Sequence, residues 1–400
     1  MHSVAFWRPW LTAALLSGCL GWPLTARAGQ APADIPDLIR ALRHQPRSSN
    51  RSPSEAQTSI LPTISSNPAI GVSVGALMSR AARRGGADSR MSTLHASIAF
   101  TTESQIIGAV RNELHSRNDK WSLIGDSRLA KFQQAAPRLG TDVPAAAPVA
   151  AVKYNWTRLH QTAYRQTRGP FHVGLGYHLD SFKNMRPAND DDVDDEDHVV
   201  PAQVAEASPV TTIASGLSLD ALFDSRDNSL NASRGFYLRA SYYYNPVFLG
   251  SDHDWQSLQI EGRAYVKLPA ERRQLLAIWT QAWYTLDGQP PYFSLPSPGW
   301  DTYGRSGRGY AAGLLRGRDW IYGEAEYRLD LMDSGLVGVV AFVNASKLSD
   351  IDGTYGGWAA GVGTGVRVKM SKHSGTNIAM DVAWGRYGQV GVWFGLNEAF

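Results

Sequence analysis

The sequence predicts an all-β chain that forms a transmembrane antiparallel β-barrel. Apolar and polar residues alternate with a period of two along most of the chain after residue 56. The alternating segments are about ten residues long, as expected for strands that cross an outer membrane, whereas the strands of soluble sandwiches are nearer five or six residues. After the N-terminal segment, no apolar run is long enough for a membrane-spanning helix.

Residues 1–28 have the pattern of a cleavable export signal. Arg8 provides a positive charge, residues 11–24 are mostly apolar, and Ala26-Arg27-Ala28 forms a small-x-small cleavage site. Leu16-Ser17-Gly18-Cys19 also matches a lipoprotein cleavage box, so lipid attachment stays open as an alternative. Cys19 is the only cysteine in the sequence. The processed chain is therefore expected to contain no disulfide.

The charge balance excludes a nucleic-acid partner. The formal net charge is +3 for the whole chain, and removal of Arg8 and Arg27 with the signal leaves +1. A nucleic-acid-binding domain usually carries a concentrated basic surface.

Residues 29–55 are polar and rich in Pro, Ser and Arg. This segment is too short for a domain with its own core, so we interpret it as a flexible periplasmic lead-in with one short helix at Ile35–Leu42. The barrel is expected to occupy residues 56–400.

Fifteen strands can be placed from the alternation, and the even strand count of bacterial barrels then requires a sixteenth. The missing strand is predicted at Gln57–Ser65, before a turn at Asn67-Pro68, since Pro62 is tolerable in a poorly paired first strand. The other predicted strands are 69–78, 92–102, 104–114, 121–130, 150–165, 170–181, 211–224, 235–246, 255–268, 274–286, 319–331, 335–347, 358–369, 375–385 and 389–400.

This arrangement places the long connections 131–149, 182–210 and 287–318 outside the cell and most short turns in the periplasm, which is the asymmetry of outer-membrane barrels. Ser79–Met91 is the exception, because it is expected to form a long turn on the periplasmic side.

Gly71-Val72-Ser73-Val74-Gly75 matches the nucleophile elbow of hydrolases. That motif requires a sharp strand-to-helix turn at the serine. The alternation around Ser73 instead predicts a glycine-rich strand, and an outer-membrane hydrolase that uses Ser73 remains a minor alternative.

No metal or other cofactor is predicted. Asp195 occupies the position that is glycine in an EF-hand, so the acidic run 190–197 is interpreted as a solvated loop, with weak cation binding beside lipopolysaccharide as the alternative. His172 and His178 share a strand face but lack zinc-site spacing.

The final strand is amphipathic. Val390, Val392, Phe394 and Leu396 share one face, and Phe400 continues their parity. A last strand of this kind with a terminal aromatic residue resembles the signal that the barrel-assembly machinery recognises. Phe394, Leu396 and Phe400 are therefore the expected assembly signal.

Three blocks resemble the bacterial surface antigen family, the BamA/TamA-type barrel domain of outer-membrane proteins. They occur in family order within residues 56–400. The blocks are Asp224-Ser225-Arg226-Asp227-Asn228 with Ser233-Arg234-Gly235, then Gly307-Arg308-Gly309-Tyr310 with Arg316-Gly317-Arg318-Asp319 and Glu324-Ala325-Glu326-Tyr327-Arg328, and finally Phe394-Gly395-Leu396-Asn397-Glu398-Ala399-Phe400.

The resemblance implies that an extracellular loop with Gly307, Arg308, Gly309 and Tyr310 folds into the barrel lumen, with Arg316 as a second candidate for the loop arginine. Two departures stand out. The chain has no room for the periplasmic POTRA domains of large members, and Asn344 replaces the usual carboxylate partner of the arginine.

A guanidinium inside a barrel needs a carboxylate partner, because it keeps its proton. Glu324 and Glu326 share the predicted inward parity of the twelfth strand. We therefore expect Arg308 to pair with Glu326 or Glu324.

These features predict a non-enzymatic barrel of the bacterial outer membrane that assists insertion or translocation of protein or lipid. The main alternative is a diffusion porin. The expected partners are outer-membrane lipid, lipopolysaccharide and, during biogenesis, the barrel-assembly machinery.

Overall fold

The computed structural model describes residues 32–43, 56–67, 71–85, 89–136, 139–142, 151–188, 210–269, 272–372 and 374–400. The predicted signal peptide, Cys19 and the acidic run 190–197 lie outside these residues.

Sixteen antiparallel strands form a closed barrel in which each strand pairs with its neighbours in sequence and β16 returns to β1. The predicted fold and strand number are confirmed. The strands are β1 Gln57–Asn67, β2 Gly71–Arg83, β3 Met91–Thr101, β4 Ile106–His115, β5 Trp121–Ala135, β6 Ala151–Arg168, β7 Phe171–Pro187, β8 Val210–Asp224, β9 Gly235–Asn245, β10 Trp255–Leu268, β11 Gln274–Gly288, β12 Trp320–Asp330, β13 Val337–Leu348, β14 Ala359–Lys369, β15 Asn377–Gly385 and β16 Val390–Leu396.

The prediction of a long periplasmic turn at Ser79–Met91 is wrong. Strand β2 continues to Arg83, which pairs in register with Met91 at the start of β3. Strand β2 includes Arg80 and Arg83, because charged side chains are acceptable near the end of a barrel strand, where they reach water beyond the apolar band.

Strand β12 shows how the alternation separates the interior from the membrane. Its buried residues are Trp320, Tyr322, Glu324, Glu326 and Arg328, which alternate with more exposed residues. Elsewhere, outward apolar side chains such as Leu175 and Leu219 are more than 60% exposed. This apolar outside is the surface that faces lipid, while the charged residues Glu324, Glu326 and Arg328 of β12 face the interior.

A short helix, α1 (Ile35–Leu42), lies against the turns at the periplasmic end of the barrel. Asp34 caps it by accepting a hydrogen bond from the main chain of Asp37 at 3.1 Å. The Asp37 carboxylate lies 2.7 Å from Nζ of Lys372, in the β14–β15 turn. The lead-in is therefore attached to the barrel at this helix.

No helix in the described parts of the chain has the length and apolar character needed to cross a membrane.

A closed barrel resists denaturation because every strand is paired around the ring. We expect the mature protein to migrate faster in an unboiled than in a boiled sample on a detergent gel. Protein denatured in urea before loading serves as the unfolded control, and equal mobility of unboiled and boiled samples would contradict the closed barrel.

Candidate functional site

The β11–β12 loop, residues 289–319, contacts inward-facing side chains on distant parts of the barrel wall. Arg128 of β5 donates to the main-chain oxygens of Asp301 and Thr302 at 3.1 and 2.8 Å. Arg308, further along the same loop, bonds to Asp381 of β15. The loop therefore connects two sides of the interior.

Local turns shape the loop around its arginine. The Asp301 carboxylate accepts hydrogen bonds from the main-chain nitrogens of Arg305 and Ser306 at 3.0 and 2.7 Å. Gly307 and Gly309 have φ angles of 65° and 108°, which L side chains rarely adopt. These turns leave the side chain of Arg308 directed at the barrel wall.

Glycines on the wall allow the loop backbone to approach it closely. A Cβ atom on Gly385 of β15 would collide with the main-chain oxygen of Gly309, and one on Gly361 of β14 would crowd that of Arg308. On β16, a Cβ on Gly395 would collide with the guanidinium of Arg305. Strands β14 to β16 thus form a surface fitted to the loop.

Arg308 is 1% exposed and contacts three carboxylates. Nη1 donates to Asp381 at 2.8 Å, while Nη2 donates to Glu326 at 2.6 Å and also to Glu324. The Phe342 ring lies 3.4 Å from the guanidinium carbon. The structure thus brings Arg308 together with both glutamates considered from the sequence.

Asn344 has a different part in this arrangement. Its amide donates to the main-chain oxygen of Arg308 at 2.9 Å, so it holds the loop backbone and not the guanidinium. The carboxylates that bind the guanidinium come instead from Glu324, Glu326 and Asp381.

Electrostatics keep Arg308 charged. Burial by itself lowers the pKa of Arg308, but Glu324, Glu326 and Asp381 outweigh that effect and hold the pKa well above its ordinary value. Removing the guanidinium would leave these carboxylates buried without their shared partner, which is costly in a low-dielectric interior.

The ion pairs around Arg308 close into a ring of alternating charge, which we call the charge ring. Its contacts lie between 2.5 and 3.8 Å. In order, the members are Arg308, Glu326, Arg328, Glu398, Arg367 and Asp381. It joins the loop to β12, β14 and β15, and also to the residues that follow β16.

The expectation that Phe400 continues the outer face of β16 is wrong. The strand ends at Leu396, and Asn397 has a left-handed φ of 66° that redirects the chain. Phe400 is 6% exposed and stacks on Trp279 of β11, with ring centroids 5.1 Å apart. A backbone turn at Asn397 removes the strand periodicity on which the expectation depended.

The tail Asn397–Phe400 is held by charged residues of the wall. Arg367 donates to the Glu398 carboxylate at 2.7 Å, and Arg328 donates to the main-chain oxygen of Phe400 at 3.1 Å. Burial raises the pKa of Glu398, but Arg367 and Arg328 outweigh it and hold the pKa below its ordinary value. The tail and the loop therefore share one electrostatic network.

Tyr310, the last residue of the loop motif, connects the start of β14 with the turn between β15 and β16. Its hydroxyl donates to the main-chain oxygen of Ala360 at 2.6 Å and accepts from the main-chain nitrogen of Arg386 at 3.0 Å. The motif thus contacts the wall through both its arginine and its tyrosine.

A family model described as the Omp85 superfamily domain matches residues 131–385. The chain belongs to the Omp85 superfamily. Its resemblance to BamA/TamA-type barrels and its place in the bacterial outer membrane, both predicted from the sequence, are confirmed. No curated protein matches the sequence.

Three solved Omp85-type structures show the same fold. BamA from Haemophilus ducreyi lacking POTRA domains 1–3 shares 14% identity over 86% of this chain and 70% of that one, with a TM-score of 0.51. CdiB from Escherichia coli shares 11% identity over 88% and 63% of the respective chains, with a TM-score of 0.57. CdiB from Acinetobacter baumannii shares 13% identity over 86% and 65%, with a TM-score of 0.51. The chain therefore spans between 63% and 70% of the length of these proteins.

Arg316, the other candidate for the loop arginine of this Omp85 barrel, has a different environment. It donates to the main-chain oxygens of Tyr292 and Leu295 at 3.3 and 2.7 Å and lies 4.8 Å from the Trp300 ring centroid. Burial lowers the pKa of Arg316. Arg316 therefore organises the loop internally, whereas Arg308 binds the wall.

The sequence did not identify Asp381, Arg367 and Glu398 as parts of this site. Arg367 lies on β14, Asp381 on β15 and Glu398 in the tail, all far from Arg308 in sequence. Asp381 could have been found from the sequence, because it is an isolated carboxylate at an inward-facing position of β15. Glu398 could not be found in this way, because it lies beyond the last strand.

Ser73 lies within β2, in register with Thr101 of β3. The strand-to-helix turn of a nucleophile elbow is therefore missing at this serine. Among the described residues, no cluster of three or more His, Cys, Asp or Glu side chains could hold a metal ion.

We expect Arg308→Ala to destabilise the Omp85 barrel by about 3–5 kcal/mol, because three carboxylates lose their partner in a buried site. The measurement is the temperature at which the fast-migrating folded band disappears. Arg308→Lys should give an intermediate loss, since an ammonium cannot match the fork geometry of a guanidinium.

The matched control is Arg272→Ala, which removes a pair with Asp333 whose arginine side chain is 44% exposed. An exposed pair contributes about 0–1 kcal/mol, so this variant should behave like the wild type. Equal heat resistance of Arg308→Ala and Arg272→Ala would contradict the role assigned to Arg308.

Proposed function

We propose that this Omp85 barrel assists the insertion or translocation of extended polypeptide segments, and that the segments enter at the seam between β1 and β16. The observation that supports this role is the weak pairing of that seam. The proposed partners are unfolded chains that pass through or enter the outer membrane.

Backbone pairing at the seam is limited to one position in the described residues, where Ser66 lies opposite Val392. On its other side, β1 pairs with β2 along its whole length, from Gln57–Ala81 to Asn67–Gly71. Strand β16 likewise pairs with β15 from Ile378–Leu396 to Trp384–Val390. The two strands at the seam are therefore well held on one side only.

The register limits how far the pairing of this seam could extend. Continuing it from Ser66 and Val392 places Pro62 opposite Leu396, the last residue of β16. Beyond this point the tail turns into the interior, so the segment 57–61 has no strand on this side. Pro62 itself has no N–H to donate to a partner strand.

An open strand edge can bind another chain. Unpaired N–H and C=O groups accept an extended segment by β-augmentation, in which the main chain supplies the hydrogen bonds. In a membrane the same groups are costly to expose to lipid, so a strand that pairs with them is stabilised. Opening this seam also breaks fewer hydrogen bonds than opening any pair of neighbours held along its length.

The β11–β12 loop argues against a diffusion porin. It contacts inward-facing residues of β5 and β15, including Arg128 and Asp381, in the space that a porin keeps open. A porin lumen of this strand number normally holds an aqueous channel. The interior instead holds packed side chains around Arg308 and Arg316.

We expect a disulfide across the seam to block the activity. The variant carries Ser66→Cys and Val392→Cys, since Cα atoms of register partners lie about 4.5–5.5 Å apart, within disulfide range. The measurement is the rate at which a urea-denatured eight-stranded barrel inserts into vesicles that contain this protein. Oxidation should reduce the acceleration of client insertion by this protein at least about tenfold, and a reductant should restore it. The reason is that insertion requires β1 and β16 to separate, which the disulfide prevents.

The matched control places the same disulfide at Leu219 and Tyr242, which are register partners on β8 and β9. This crosslink should leave the insertion rate unchanged in both redox states. Full activity of the oxidised seam variant, or a lack of acceleration by the wild type, would refute the proposed function.

A further measurement separates the proposal from the porin alternative. In a planar bilayer, the wild type should give no steady porin-like conductance, because the loop occupies the interior between β5 and β15. Deletion of residues 297–313 should create such conductance. Stable large channels in the wild type would favour the porin.

A further inference from the structure

A cavity of about 170 Å³ remains between the β11–β12 loop and the wall formed by β5 to β12, and Ala399 of the tail also lines it. One water needs roughly 10–15 Å³ on this measure, so the cavity could hold roughly ten or more waters. The number of waters that fit is similar to the number of heavy atoms in one hexose unit, so the cavity is large enough for one such unit. Among the described residues that line the cavity, none belongs to the charge ring, to β1 or to β16.

Five residues that line the cavity have a buried side-chain atom with no hydrogen-bond partner within the described chain: His178, Asn245, Trp255, Gln281 and Ser294. Three of these atoms belong to residues in one row of the sheet, and they are Nδ1 of His178, Nδ2 of Asn245 and Nε1 of Trp255. The three residues are 7%, 3% and 5% exposed. A protein usually satisfies such atoms by an internal partner, by water or by a ligand.

The register places these three residues in one row across the wall. His178 of β7 pairs with Gly216 of β8, and Asn245 of β9 pairs with Trp255 of β10. Gly216 has no side chain, and a Cβ there would crowd Asn245. The glycine thus leaves a recess between His178 and Asn245.

The hydrogen bonds of His178 define what its free nitrogen can do. Ser218 Oγ donates to Asp220 at 2.5 Å, so the same oxygen accepts from Nε2 of His178 at 2.8 Å. Since Nε2 carries the hydrogen, Nδ1 of the neutral ring is an acceptor. The row therefore offers one acceptor at His178 and two donors, at Asn245 and Trp255.

The charged groups of the cavity already have partners. Arg158 binds Asp180 at 2.8 Å, Arg263 binds Glu261 at 2.5 Å, and Arg239 lies 3.4 Å from Glu261. A charged ligand would have to compete with these pairs or enter without a counter-charge. The cavity therefore favours a neutral ligand.

Aromatic rings supply the remaining surface. Trp300 of the loop and the wall residues Tyr243, Trp255 and Trp283 all line the cavity. Aromatic rings with nearby polar groups bind ligands that have both apolar faces and hydrogen-bonding edges. A sugar ring has this combination, because its hydroxyls both donate and accept while its C–H groups form an apolar face.

We propose that this cavity is a binding site for one neutral saccharide unit. Its hydroxyls would donate to His178 Nδ1 and accept from Asn245 and Trp255. Asn245 ends β9 and Trp255 begins β10, so the row lies at the extracellular end of these strands, where saccharides from outside the cell arrive. The inference is independent of seam opening.

The test is isothermal titration of the mature protein in lipid nanodiscs with glucose, galactose and N-acetylglucosamine. At least one should bind with a millimolar or lower dissociation constant. Glucuronate and glucosamine, which carry charge, should bind at least about fivefold more weakly than their neutral counterparts. A second titration uses a neutral oligosaccharide, and its affinity is compared with that of the single sugars. The comparison distinguishes a site for a free sugar from a site for one unit of a longer glycan.

Trp255→Phe keeps an aromatic ring but removes the indole N–H, and it should weaken binding about fivefold to tenfold. Asn245→Ala is the independent second variant. Tyr244→Phe is the matched control, because Tyr244 is the outward-facing neighbour of Asn245 and should leave the affinity unchanged.

All variants are first checked for the fast-migrating folded band on the unboiled gel. Absence of binding by every neutral saccharide, tighter binding of the charged ones, or affinity unchanged in both Trp255→Phe and Asn245→Ala would overturn the proposal.

Discussion

The arrangement of the interior depends on one buried guanidinium. Arg308 contacts Glu324, Glu326 and Asp381, which belong to two strands that are not neighbours. None of these charges is stable alone in an interior of low dielectric, so the loop, β12 and β15 must come together for any of them to be buried. Hydrophobic contacts alone would leave the position of the loop far less defined.

The charge ring also has consequences for the seam. Its members lie on the loop, on β12, β14 and β15, and in the tail after β16, but β1 contributes none of them. One side of the seam is therefore braced through Glu398 and Phe400, while β1 is held by β2 and a single register pair. A barrel built in this way can move β1 without breaking the network around Arg308.

Much of the wall could be predicted because barrel strands have a strict period of two. The prediction for β10 matches its observed bounds, and the parity of β12 correctly separates Glu324 and Glu326 from the lipid-facing residues. Such predictions fail where strand geometry ends. Phe400 was expected on the outer face, yet a left-handed residue at Asn397 turns the tail inward. The alternation of apolar and polar residues contains no information about a backbone turn that ends the strand.

The sequence by itself determined the fold class, the number of strands and the face on which each strand residue lies, because these follow from local periodicity and from the cost of unpaired backbone in lipid. The sequence also predicted that Arg308 meets Glu324 or Glu326, but only the tertiary structure decided which more distant charges join them. Asp381 and Glu398 both reach Arg367, through barrel closure and a backbone turn, although one lies on β15 and the other beyond β16. Pairing between distant residues depends on curvature, register and loop path, and a one-dimensional pattern contains none of these.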